Sequence, residues 1–138
     1  MSNGTPEAAR ALVAGHGELS AGLRSAVERI TGRGSLLEPL SNTGLGGEDM
    51  EALLRDRIER GGIRAIFTDL PGGSWTLAAR RAMRGRDDIV LVTGVNLAAL
   101  LEFVMHDELE PAVAAAGSVE RARGAITVTG GGGTARGA

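Results

Sequence analysis

The stretch Ala11-Leu12-Val13-Ala14-Gly15-His16-Gly17-Glu18 sets an apolar run directly against a histidine held between two glycines. Residues 11–15 read as a short, continuously apolar strand, the kind buried on both faces of a parallel sheet. After the loop, Leu19, Leu23, Ala26, Val27 and Ile30 fall at helical spacing. The later stretch Thr68-Asp69-Leu70-Pro71-Gly72-Gly73-Ser74-Trp75 repeats the order of apolar strand, polar turn and helix start. Strand–loop–helix units in series are the signature of an α/β domain.

Outward from these loops the same alternation continues. Gly32 and Gly34 stop the first helix. Ser35-Leu36-Leu37-Glu38-Pro39-Leu40 reads as a second strand, which Pro39 either ends or places at an edge. Gly44-Leu45-Gly46-Gly47 is a loop; its glycine spacing is wrong for a dinucleotide fingerprint. Glu48 to Arg60 is predicted as a charged helix with Met50, Leu53, Leu54 and Ile58 inward, and Ile63 to Thr68 as the third strand. A helix over Ser74–Arg84, a fourth strand over Ile89–Thr93 and a helix from Leu97 to about Met105 follow. Glu110–Ala116 reads as one more short helix, and Ala125-Ile126-Thr127-Val128-Thr129 as a last strand. The expected organisation is a flexible leader over 1–9, one domain over 10–129 and a disordered Gly-rich tail over 130–138.

Four strands alternating with helices predict a doubly wound, mainly parallel sheet in the order 2-1-3-4, with helices on both faces. Such sheets bind ligands at the carboxyl ends of the strands where the winding reverses, here between strands 1 and 3. His16 follows strand 1 and Asp69 follows strand 3. Topology therefore predicts that they meet, although they are far apart in the chain.

Composition narrows the chemistry. The chain has 138 residues, 43% of them hydrophobic, enough for one domain with a real core. A net charge of -2 with no evident basic face argues against nucleic acid as a partner. All 15 basic residues are arginine, which removes P-loop and Schiff-base lysines. The absence of cysteine removes disulfides, thiolate nucleophiles and Cys-ligated metals. The polar start, Met1 to Glu7, has no apolar core of a signal peptide, and no apolar run approaches a membrane span. A cytoplasmic protein without cofactor or metal is expected.

The two loops suit phosphoryl chemistry. A neutral imidazole keeps one lone pair, and a carboxylate accepting the N–H of the other nitrogen fixes which one. Asp69 is positioned for that role, leaving the far nitrogen of His16 as the nucleophile. Gly72, Gly73 and Ser74 lead into a helix N-terminus, whose backbone N–H groups, dipole and hydroxyl favour a phosphoryl group. Gly15 and Gly17 permit close approach of backbone to the ring.

Three blocks carry a family resemblance: Val13-Ala14-Gly15-His16-Gly17 before a helix, Phe67-Thr68-Asp69-Leu70-Pro71-Gly72-Gly73-Ser74, and Val92-Thr93-Gly94-Val95-Asn96-Leu97. In that order and spacing, over roughly residues 10–106, the chain resembles the mannose-family IIA domain of the bacterial phosphoenolpyruvate-dependent sugar phosphotransferase system. The resemblance implies that His16 accepts a phosphoryl group from the general phosphocarrier protein and passes it to a IIB domain. It implies that Asp69 is the carboxylate partner of the histidine, with Gly17, Gly72, Gly73 and Ser74 around the phosphate. It also implies a homodimer in which the last strand is exchanged between subunits, and contact with the membrane only through permease subunits.

Several residues have plainer readings. Asp69 is also a good N-cap residue, as are Ser74 and Asn96 for the helices they precede. Glu18 reads as a first-turn charge, and His106 as a surface residue at a helix end. Trp75 either packs at its helix start or faces a partner protein. Two other functions stay open: a histidine phosphatase, suggested by His16-Gly17-Glu18 although Gly15 stands where that motif has arginine, and a flavin or nucleotide sensor, for which 2% aromatic content offers little to stack on. A IIA-like domain phosphorylated to signal rather than to transport is a further reading.

Overall fold

A computed structural model describes residues 8–132. In chain order the elements are β1 (Ala11–Gly15), α1 (Leu19–Thr31), a 3-10 turn at Gly34–Leu36, β2 (Leu37–Ser41), α2 (Gly47–Gly61), β3 (Ala65–Thr68), α3 (Ser74–Ala82), β4 (Val90–Thr93), α4 (Leu97–Val104) and α5 (Pro111–Ala125). The strands form one sheet in the order β2-β1-β3-β4, and every neighbouring pair is parallel. The chain winds from β1 to β2 on one side, then returns past β1 to β3, so the reversal falls between β1 and β3.

Side-chain alternation explains why the sheet is covered twice. In β1, Ala11 and Val13 enter one core while Leu12 and Ala14 enter the other; in β3, Ala65 and Phe67 oppose Ile66. The first core is closed by Val27 of α1, Leu100 and Phe103 of α4, and Ala114 and Ala115 of α5. The second is closed by Leu54 and Ile58 of α2 and by Trp75, Ala78 and Ala82 of α3. Phe67 and Phe103 meet edge to face at 5.2 Å, tying β3 to α4. All of β1 is buried, as a central parallel strand requires.

Some boundaries differ from the sequence reading. Residues 34–36 turn as a 3-10 helix, so β2 starts at Leu37 and runs to Ser41. Pro39 sits within β2 opposite Val13; the strand is at the edge, where a missing N–H on the outer side costs nothing. The last helix, expected to end near Ala116, continues to Ala125. Gly117 and Gly124 weaken it by about 1 kcal/mol each relative to alanine, but Ala114, Ala115 and Ser118 are buried and hold it in place. Ala125 therefore belongs to a helix, and residues 126–129 make no strand among the described residues. Ile126 and Val128 are 78% and 93% exposed.

Residues 1–7 and 133–138, which carry most of the expected leader and tail, lie outside the described residues. Among the described residues no helix is long and apolar enough to cross a membrane.

Candidate functional site

The parallel register sets Ala14 opposite Thr68, so the residues leaving β1 and β3 emerge side by side. His16 and Asp69 meet there. The Asp69 Oδ2 atom lies 2.7 Å from His16 Nδ1 and also accepts the His16 backbone N–H at 2.9 Å. One carboxylate oxygen thus fixes both the ring and the chain that bears it. The carboxylate side chain is 7% exposed and the imidazole 48% exposed. The acid is sunk at the base of the site and the ring stands up from it.

Burial pushes the Asp69 carboxyl upward, but the hydrogen bonds from the His16 ring and backbone N–H, with the attraction of the ring, outweigh it and hold the group below its ordinary value. An ionised carboxylate only accepts hydrogen bonds, so the short contact assigns a proton to Nδ1 and leaves the lone pair on Nε2. Asp69 Oδ1 is buried with no hydrogen-bond partner among the described residues. The carboxylate is therefore committed to the histidine, and it does not cap α3.

Nε2 faces the start of α3. The helix begins at Ser74 with Gly73 as its N-cap residue and no side-chain cap. Ser74 is thus the first helical residue rather than the cap, and its Oγ lies 3.4 Å from His16 Nε2. The N–H groups of the first turn have no side-chain partner and carry the positive end of the helix dipole. A nucleophilic nitrogen beside a hydroxyl and free backbone donors can hold an oxyanion bonded to that nitrogen.

The glycines differ in what they contribute. Gly17 has φ of +59°, a conformation that disfavours other residues, and lets the chain turn sharply from His16 into α1. A Cβ on Gly15 would stand 3.3 Å from Leu19 Cδ2 and 3.6 Å from the Asp69 carboxylate. On Gly73 it would stand 3.8 Å from the His16 ring carbon Cε1, covering the ring edge. Gly72 has no atom that a Cβ would meet within 4 Å, so space does not require glycine there.

Other residues at the site escaped the sequence reading. Asn42, in the loop after β2, accepts the Gly17 N–H at 3.3 Å. The buried Thr76 hydroxyl bonds to the Leu70 carbonyl and lies 2.6 Å from the Thr68 hydroxyl. A carbonyl only accepts, so Thr76 donates to Leu70 and receives from Thr68. This pair pins the Asp69–Gly73 loop to the end of β3.

The remaining candidates fall elsewhere. Asn96 caps α4, accepting the Ala99 N–H at 2.9 Å. Glu18 occupies the N-cap position of α1 without a side-chain cap. Trp75 is completely buried in the core beneath α3 and presents nothing to a partner. His106 follows α4 at the opposite end of the sheet, where its carbonyl meets Arg10 just before β1; its ring is flanked by Glu102 and Glu108.

Comparison with curated proteins finds no match. Among solved structures, phosphotransferase system component EIIA from Streptococcus agalactiae aligns with TM-score 0.78 at 18% identity, covering 86% of this chain and 95% of that one. The mannose/sorbose specific IIA subunit from Enterococcus faecalis aligns with TM-score 0.74 at 19% identity, covering 94% and 100%. A sigma-54 interaction domain protein from Enterococcus faecalis shares the fold with TM-score 0.65 at 14% identity, covering 86% and 96%. The family model EIIA-man, described as PTS system fructose IIA component, matches residues 10–119. The β2-β1-β3-β4 sheet, the two loops at its carboxyl edge and a family match over most of its length agree: this chain belongs to the EIIA-man family of phosphotransferase system IIA components.

Proposed function

We propose that this chain is a cytoplasmic phosphocarrier of the sugar phosphotransferase system, taking a phosphoryl group on His16 Nε2 from the general phosphocarrier protein and giving it to a IIB domain. The observation that carries the reading is the 2.7 Å contact between His16 Nδ1 and the buried Asp69 carboxylate, with Nε2 turned toward the open start of α3. In the transfer, the Nε2 lone pair forms a bond to phosphorus as the bond from phosphorus to the donor's nitrogen breaks, and that electron pair returns to the donor. The Nδ1 proton stays on the ring, where Asp69 stabilises the positive character that the ring gains. Ser74 Oγ and the first-turn N–H groups of α3, beside Gly72 and Gly73, hold the phosphoryl oxygens. Gly17 sets the turn that leaves the ring open. Transfer to the IIB domain reverses each of these steps.

The test is labelling with phosphoenolpyruvate and the upstream phosphotransfer enzymes. The unaltered chain gains one acid-labile phosphoryl group and His16→Ala gains none; labelling that persists in the variant would refute the assignment.

Two alternatives lose support. A histidine phosphatase needs a second catalytic histidine, and His106, the other of the 2 histidines, sits at the far end of the sheet. A flavin sensor needs an exposed aromatic ring, and Trp75, Phe67 and Phe103 are all fully buried. A signalling role retains one favourable observation, the fold shared with the sigma-54 interaction domain protein. Onward transfer from His16 to a IIB domain supports transport; a charged form that no IIB domain discharges supports signalling.

The homodimer belongs to the same proposal. Among the described residues β4 pairs only with β3, leaving one edge open, and the β-branched segment 126–129 projects Ile126 and Val128 into solvent. Exchange of these segments onto the β4 edges of two copies satisfies both. Sedimentation gives a dimer for the full chain and a monomer when residues 126–138 are removed; a monomer in both cases refutes it.

A further inference from the structure

The Asp69 carboxylate stands between two uses. Its Oδ2 takes both N–H groups of His16, while Oδ1 is buried with no partner among the described residues. A Cβ on Gly73 would stand 3.6 Å from that Oδ1, so the idle oxygen lies beside the N-cap residue of α3. No side chain caps this helix, and a carboxylate is among the best groups for capping a helix start. The hydrogen bonds to His16 engage one oxygen only and leave the other drawn toward the helix. The backbone on either side of Asp69 decides between the two.

That backbone is anchored at both neighbours. Thr68, the last residue of β3, is buried; its carbonyl accepts the Val95 N–H at 3.0 Å and its hydroxyl donates to Thr76. On the other side, the Leu70 carbonyl accepts the Thr76 hydroxyl. The Gly73 N–H also reaches that carbonyl, but at 3.4 Å, longer than an ordinary N–H···O bond. Thr76 stands in the first turn of α3, so one buried hydroxyl fastens the residues before and after Asp69 to the helix. Capping α3 with Asp69 requires the turn from Leu70 to Gly73 to reorganise, and the bond from Thr76 to Leu70 resists that.

Resting on the phosphocarrier reading, we propose that Thr76, supported by Thr68, is a positioning residue for phosphoryl transfer: it keeps the Asp69 carboxylate on His16 Nδ1 and off the first turn of α3. The N–H groups of that turn thereby stay free for the phosphoryl oxygens. Neither threonine touches the phosphoryl group; both act through Asp69. Without the Thr76 hydroxyl the carboxylate divides between ring and helix start, and the ring loses its fixed tautomer and orientation.

The test uses the whole chain and two readouts, the rate at which phosphorylated general phosphocarrier protein charges His16 and the NMR signal of the His16 Nδ1 proton before charging. Thr76→Val is expected to charge about tenfold more slowly and to lose the Nδ1 proton signal through exchange with water, and Thr76→Ser to recover most of both. Thr76→Ala, a better helix former, takes its place if the valine variant does not fold. Ser118→Ala removes another buried hydroxyl, bonded to the Ala114 carbonyl within α5 at 3.0 Å; it is expected to lose stability yet charge within about twofold of the unaltered chain, with its Nδ1 signal unchanged. On an Asp69→Asn background, Thr76→Val is expected to add less than about a twofold loss. An Nδ1 signal unmoved by Thr76→Val, no recovery with serine, a comparable charging loss in Ser118→Ala, or a full further loss on top of Asp69→Asn each overturns the proposal. No label on His16 of the unaltered chain strikes the phosphocarrier reading instead, and the Nδ1 signal then judges the positioning by itself.

Discussion

Replacing Asp69 with asparagine probes the site where its geometry is most demanding. The carboxylate receives two N–H groups from His16 on one oxygen, at 2.7 and 2.9 Å. Asparagine can place its carbonyl oxygen there and keep both bonds, so the variant retains the loop and loses mainly the charge. A hydrogen bond to a charged acceptor contributes about 1.5–3 kcal/mol and a neutral one about 0.5–1.5 kcal/mol. The half-exposed ring admits solvent that screens part of the difference. A loss of about 1–2 kcal/mol in the transition state follows, or roughly 5- to 30-fold in the rate of charging His16. Rapid-quench transfer from the phosphorylated donor measures it, with melting temperature as the check on folding. A folded Asp69→Asn variant that charges within twofold of the unaltered chain would refute the idea that the carboxylate stabilises the ring as it takes up phosphorus.

Other perturbations follow from the same loops. Gly17→Ala keeps its space but must hold φ of +59°; it is expected to lower unfolding free energy by about 1–2 kcal/mol in chemical denaturation, whereas Gly72→Ala stays within about 1 kcal/mol of the unaltered chain. Thr76→Val leaves the buried Thr68 hydroxyl without its partner and the Leu70 carbonyl with only the Gly73 N–H at 3.4 Å, at a cost of about 1–3 kcal/mol; a smaller loss in the same assay would show that the hydroxyl pair does not hold the loop. The folded Asp69 carboxyl lies below its ordinary value, so its stabilising contribution is fully present above an unfolded value of about 3.9 and is lost as pH falls through the lower folded value. Melts over this acid range should show that loss in the unaltered chain and a flatter profile in Asp69→Asn; identical profiles would contradict it.

The architecture was legible because the strands carry unmistakable patterns. The apolar runs at 11–15 and 63–68, each followed by a polar loop and a helical repeat, leave few topologies besides a doubly wound sheet. That topology alone brings His16 beside Asp69. The burial of Trp75 was also readable, since Trp75, Ala78, Ala79 and Ala82 share one face of α3 at i, i+3, i+4 and i+7. Elsewhere tertiary contacts decided the outcome. Gly117 looks like a stop, yet Ala114, Ala115 and Ser118 bury a continuous face against the first core, and α5 runs through it. The β-branched residues after Ala125 look like a strand, but a strand needs a paired edge, and this segment finds none among the described residues.

The part of the site that stayed hidden is its support. Asn42 reaches Gly17 from a loop whose path no local pattern specifies, and Thr68 and Thr76 become partners only once β3 and α3 are packed. Hydroxyls and amides of this kind resemble ordinary caps and turn residues in sequence. Their burial and partners distinguish them, and those are properties of the assembled fold.

Nitrogen-15 NMR of the His16 ring before and after phosphorylation tests the account at its foundation. The account predicts that Nδ1, which faces Asp69, carries a proton before charging, and, after charging, phosphorus coupled to Nε2 with the Nδ1 proton retained. A ring protonated on Nε2, or phosphorus attached to Nδ1, would contradict it.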